Sequence, residues 1–157
     1  MIQRIQSVYL FLCGALLIAS IFCPQIAFSR GDVQLFSLSA LGTVVENTAS
    51  GAALQTASHA WGVLTFNVVA AAMAFIAIFL YGNRRRQMRF ISLLLLVILL
   101  LYITEIAYAW AFASANDVSM AGQWGAILPF AAYIFAWLAR RGVRHDEELV
   151  RSVERFR

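Results

Sequence analysis

The chain has 157 residues, 62% hydrophobic and 13% charged, with a formal net charge of +4 and a mean hydropathy of +0.76. That composition lies outside the range of water-soluble domains. It also removes nucleic acid as the reason for the positive charge, because the basic residues flank hydrophobic runs. A spanning helix uses roughly 20 apolar residues, so four spans consume about half of the chain and leave one membrane bundle with no separate globular domain.

The first predicted span covers residues 8–27. It follows the polar start Met1-Ile2-Gln3-Arg4-Ile5-Gln6-Ser7 and closes near Pro24-Gln25. The competing reading is a cleaved signal peptide, with Arg4 in its basic region and Ala27-Phe28-Ser29 as the cleavage site. An apolar stretch longer than a usual signal core favours an uncleaved span. Cys13 and Cys23 are about 15 Å apart along one predicted helix, too far to bridge, and read as small apolar packers. Residues 28–60 are rich in Ser, Thr, Gly and Ala and form the largest segment outside lipid. Within them Val33 to Leu41 alternates loosely and Gly42 to Val45 can supply a partner, predicting a short hairpin over the bundle mouth; 47–58 reads as a polar loop.

The second span, 61–81, is rich in small side chains such as Ala70 and Ala74, which let helix backbones approach closely in lipid. This makes it the expected centre of the bundle. The third, 90–113, opens with Leu93 to Leu101, apolar on every face, so much of its circumference is expected to meet lipid. A polar turn over 114–121 leads to the fourth span, 122–139, where Pro129 predicts a kink or a wide first turn. The fold class is therefore an all-α, four-transmembrane-helix bundle, with a loop after the first helix and a cytoplasmic tail over 140–157.

All twelve basic residues are arginine. Arg84, Arg85, Arg86 and Arg89 fill the connection between spans two and three, six more follow residue 139, and Arg4 precedes span one. Only Arg30 falls on the other side, so the positive-inside rule places both termini in the cytoplasm. Trp61, Trp110 and Trp124 then mark the outer boundary, and Tyr81, Phe90 and Trp137 the inner one.

Glu105 is the single acid inside a predicted span, and a carboxylate in hydrocarbon is costly unless protonated, paired or wetted. Counting inward, Glu105 lies roughly 12 Å below the outer boundary and Asn67 roughly 9 Å below it, which predicts an Asn67 amide donating to Glu105. Tyr102 and Tyr108 flank the acid at i−3 and i+3. Three readings stand: a buried interhelical bond that sets register, a proton-accepting or ligand-contacting site in an outward-facing cavity with His59 as relay, or a Glu105 that faces lipid or snorkels. His59 has no second His, Cys or acid at ligand spacing, so no metal site is expected. Phosphate loops, nucleophile elbows and zinc-protease helices are absent, and no cofactor or enzymatic activity is expected.

In the tail, Leu149, Val153 and Phe156 fall in one stripe with charges elsewhere, and Glu147 and Arg151 form a favourable i,i+4 pair. This predicts a short amphipathic helix, either lying on the membrane surface or docking to a cytoplasmic partner or to the 84–89 connection.

Together the start Met1 to Leu10, the stretch Phe36-Ser37-Leu38-Ser39-Ala40-Leu41-Gly42 and the closing residues 146–157 resemble the bacterial four-span family catalogued as domain of unknown function 4293. Hydrophobicity alone would not select Gln3, Gln6, Ser152 or Arg155. The resemblance implies a bacterial cytoplasmic-membrane protein with an uncleaved first span, and brings no activity with it. The leading functional expectation is a non-enzymatic scaffold or accessory subunit. Its cytoplasmic face, with Arg4, Arg84, Arg85, Arg86, Arg89, Arg151, Arg155 and Arg157, would meet anionic lipid headgroups or a protein partner and no nucleic acid. The alternative is a small transporter, ion-conducting oligomer or membrane enzyme using Glu105.

Overall fold

The computed structural model describes residues 3–31, 33–45 and 60–155. Among these residues are four long helices, α1 (Gln3–Phe22), α2 (Trp61–Phe79), α3 (Arg84–Asn116) and α4 (Ile127–Arg155), and four short strands. Strand β1 (Ile26–Arg30), β2 (Val33–Ser39) and β3 (Gly42–Val45) follow α1, and β4 (Ser119–Gly122) lies between α3 and α4. Four segments, Ile5–Phe22, Trp61–Gly82, Arg84–Asn116 and Trp124–Arg144, are long and apolar enough to cross a membrane. At 1.5 Å per residue, α3 is about 50 Å long and outreaches a hydrocarbon core of roughly 30 Å.

Each helix turns one stripe inward at alternating spacings of four and three residues. These are Gln6, Leu10, Cys13, Leu17 and Ser20 on α1, Val63, Asn67, Ala70, Ala74 and Ala77 on α2, Gln87, Ile91, Leu94, Ile98, Leu101 and Glu105 on α3, and Pro129, Ala132, Ala136, Ala139 and Val143 on α4. That spacing keeps a stripe facing its neighbours in a bundle of slightly crossed helices. The helices close into a ring in which α1 and α3 each pack on both α2 and α4. Diagonally opposed α1 and α3 supply the large side chains, while α2 and α4 supply alanines, so a knob from one pair meets a close-set backbone of the other. The small-residue stripe expected on α2 is thus present, matched by one on α4, and α2 is one wall of the ring rather than its centre.

Outward, the same helices expose Phe11, Ile76, Leu93, Leu96, Leu99, Ile103, Ile106 and Phe130. Such apolar exposure around a bundle is intolerable in water over so large a contiguous area.

Three helices have boundaries that differ from the sequence reading. Helix α1 stops at Phe22 rather than 27, because Pro24 lacks an N–H and disfavours helical backbone at Cys23. Beyond it, 26–30 is not loop but a strand paired on both sides. The expected Arg-rich loop is the opening of α3. Asn83 caps that helix, its side-chain oxygen accepting from the Arg86 N–H at 3.2 Å, so the true connection is little more than the single turn Leu80–Gly82. Helix α4 begins at Ile127 and continues without a break to Arg155, so the tail prolongs span four instead of starting a new helix. Pro129 lies in its first turn, where no intrahelical N–H is needed.

The predicted β2–β3 hairpin is present, and it is half of a larger sheet. The order is β3-β2-β1-β4, and each neighbouring pair is antiparallel. Phe28 pairs with Phe36 across β1 and β2, and both rings meet Phe112 of α3, at 4.8 and 5.5 Å between centroids. The sheet therefore sits on the end of the bundle where α1 and α3 finish. Arg30, the arginine that charge counting set apart, donates from its guanidinium to the Asn116 carbonyl at the end of α3, where a cation opposes the negative pole of the helix.

The backbone at Gly125 runs against Pro24, where a Cβ would stand 2.1 Å from the Pro24 carbonyl oxygen. Gly125→Ala is expected to destabilise the chain by about 1–3 kcal/mol through backbone displacement, read as a lowered unfolding midpoint in detergent.

Candidate functional site

The apolar middle of the bundle gives way to buried polar groups at both ends. At the end away from the sheet, Gln87 donates its amide to the Ala77 carbonyl at 3.0 Å, satisfying an acceptor that the last turn of α2 leaves open. Gln6 is buried in α1 at the same end, against Gly142 of α4.

A richer network lies at the sheet end. Gln25 is its junction. Its backbone N–H donates to Leu38 at 2.8 Å and its carbonyl accepts from the Gln123 N–H at 2.8 Å. Its side-chain amide donates to the Ser20 carbonyl in the last turn of α1 at 2.9 Å. One residue thus caps α1 and joins β2 to the entry of α4. The Ser20 hydroxyl donates to the Leu17 carbonyl at 2.7 Å and accepts the Asn67 amide at 2.8 Å, tying α1 to α2. From α3, the Tyr102 hydroxyl donates to the Ala126 carbonyl at 2.9 Å.

The expected pairing of Asn67 with Glu105 is not made: the Asn67 amide goes to Ser20. The depth count misplaced the two residues. Gly62 of α2 lies against Thr104 of α3, a Cβ there standing 3.2 Å from the threonine methyl. Glu105 is therefore level with the start of α2, while Asn67, five residues further along, is about 8 Å deeper. Both are enclosed, Asn67 at 0% and Glu105 at 3% exposure. Tyr102 and Tyr108 are partly buried against the same core, and His59 lies outside the described residues. Sequence reading missed Ser20, Gln25 and Gln123. Ser20 carried a signal, since it continues the spacing of Leu10, Cys13 and Leu17. Gln25 carried only its place beside Pro24.

At the opposite end stand the arginines. Arg85, Arg86 and Arg89 are exposed on α3, and Arg140, Arg141 and Arg144 on α4, with the Arg141 guanidinium 5.8 Å from the Trp137 ring centroid. Arg84 begins α3 beside them. The first turn of α3 contains no acid, although a helix N-terminus favours one. Arg4 lies in the first turn of α1, Arg151 and Arg155 lie on the last turns of α4, and Arg157 lies outside the described residues. Among the described residues no group of three His, Cys, Asp or Glu side chains is placed to hold a metal.

The chain matches a catalogued family over residues 2–156, described as Domain of unknown function (DUF4293). The chain belongs to the DUF4293 family. No curated protein matches it. For this DUF4293 chain the polar ends are therefore the informative features. Ser20→Ala is expected to strand the buried Asn67 amide and cost about 1–3 kcal/mol. Adding Asn67→Leu should recover part of that loss, with a coupling of about 0.5–2 kcal/mol in a double-mutant cycle of unfolding in detergent.

Proposed function

We propose that this protein is a non-enzymatic scaffold or accessory subunit of a bacterial cytoplasmic membrane, with both termini in the cytoplasm, presenting its arginine-rich end to anionic lipid or a protein partner. The segregation of charge carries the reading. Arg84, Arg85, Arg86 and Arg89 open α3 at the end where α4 bears Arg140, Arg141 and Arg144, and the sheet end holds Arg30, already engaged with Asn116. Cations gathered at a helix N-terminus act against the helix dipole, so their placement answers to something outside the helix. Anionic headgroups and the positive-inside bias support that reading. Helix α4 runs on past Arg144 to Arg155, and the apolar spacing of Leu149, Val153 and Phe156 in the sequence supports a membrane surface or partner for the tail.

Enclosure of Glu105 and Asn67 supports this reading over transport or catalysis in an open cavity. Gentle extraction with crosslinking is expected to recover the chain with a protein partner or bound anionic lipid, and deletion of 146–157 to reduce that recovery. Recovery of a bare monomer, with the deletion changing neither association nor phenotype, would count decisively against it. Cysteine labelling at both termini checks the orientation, with labelling expected only from the cytoplasmic side.

A further inference from the structure

We propose that the sheet end of the bundle encloses a site for a small monovalent cation, held by Glu105 with the side-chain oxygens of Asn67, Gln25 and Gln123. Among the described residues four buried side-chain atoms lack a hydrogen-bond partner, and all four are oxygens: Gln25 Oε1, Asn67 Oδ1, Glu105 Oε2 and Gln123 Oε1. One comes from each segment that enters this end, namely the α1–β1 link, α2, α3 and the β4–α4 link. They belong to one cluster. Asn67 and Gln25 both bond to Ser20, the Gln123 N–H bonds to Gln25, and the Gln123 carbonyl accepts from Ala126 at 3.1 Å, whose own carbonyl takes the hydroxyl of Tyr102, one turn from Glu105.

Hydrogen bonds around the cluster turn donors away from these oxygens: one N–H of the Asn67 amide goes to the Ser20 hydroxyl, one of the Gln25 amide to the Ser20 carbonyl, and the Ser20 and Tyr102 hydroxyls to the Leu17 and Ala126 carbonyls. Helical side chains lean toward the N-terminus of their own helix. Asn67 therefore leans toward the sheet and Glu105 away from it, which closes much of the axial gap between them. Unpaired acceptors enclosed at one end of the bundle are costly unless a donor or positive centre reaches them, and an isolated carboxylate is costly in a low-dielectric interior. Three neutral amide oxygens and one carboxylate form a hard donor set of charge −1. That set suits an alkali ion, whereas transition metals take imidazole or thiolate and a divalent ion would leave an uncompensated charge. The expectation of no metal rested on His and Cys spacing, which an alkali ion does not need.

The test is thermal unfolding of the purified full-length chain in detergent, in NaCl against choline chloride at equal ionic strength. Sodium is expected to raise the midpoint saturably by roughly 5 °C or more, and Glu105→Gln to fold with a midpoint equal in both salts. Equal midpoints for the wild type in the two salts would overturn the proposal and leave water or a proton as the missing partner. A sodium response that survives Glu105→Gln would overturn it as well. So would a His59→Ala variant that loses as much stability as Glu105→Ala in both salts, since the imidazolium would then be the positive centre. Should Glu105→Gln not fold, NMR relaxation of sodium by the wild-type chain decides: enhancement reversed by excess potassium is expected, and its absence refutes the site.

Discussion

In lipid, apolar side chains gain almost nothing by leaving a solvent as apolar as themselves, so helices must be held by close packing and by hydrogen bonds. The alternation of large and small stripes answers that constraint. Alanines at 70, 74 and 77 on α2 and at 132, 136 and 139 on α4 bring backbones close to α1 and α3, and Leu10, Leu17, Ile91, Leu94, Ile98 and Leu101 fill the space between. Dispersion across such seams accumulates over many contacts, and it is lost where a larger side chain forces two helices apart.

Packing of this kind is tolerant of sliding, because one alanine resembles the next. The polar residues remove that tolerance. A displacement of one turn would separate Asn67 from Ser20 at one end and Gln87 from the Ala77 carbonyl at the other, leaving buried groups unpaired in a medium that offers no substitute partner. With polar locks at both ends and a dry middle, the four helices have one favoured register.

The sheet solves a different problem. The backbone leaving α1 and entering α4 must have its N–H and C=O groups satisfied where water is scarce. Pairing β1 with β2 on one side and β4 on the other does so, and it joins the first and third interhelical connections. Phe28 and Phe36 on Phe112 seat that sheet on α3. Arg30 belongs to the same arrangement, which accounts for an arginine at the end that otherwise lacks them.

The four membrane-length helices and the gathering of arginines at one end were legible in the sequence, because hydrophobic length and charge are local properties of the chain; the run from Leu93 to Leu101, apolar on every face, turned Leu94, Leu95, Ile98 and Leu101 into the core. The β2–β3 hairpin was legible for the same reason. Strands β1 and β4 were not, since each forms only by pairing with residues far away in sequence, and a run such as Ile26 to Arg30 looks locally like the tail of a helix. Glu105 stood out as a lone acid, but its neighbours could not be read from depth alone: an error of a turn at the end of α3 was enough to assign it the wrong partner. Which segments are long and apolar enough to cross a membrane was decided by composition; which polar groups meet inside, and which oxygens are left over, was decided only when four helices and a sheet fixed one another's register.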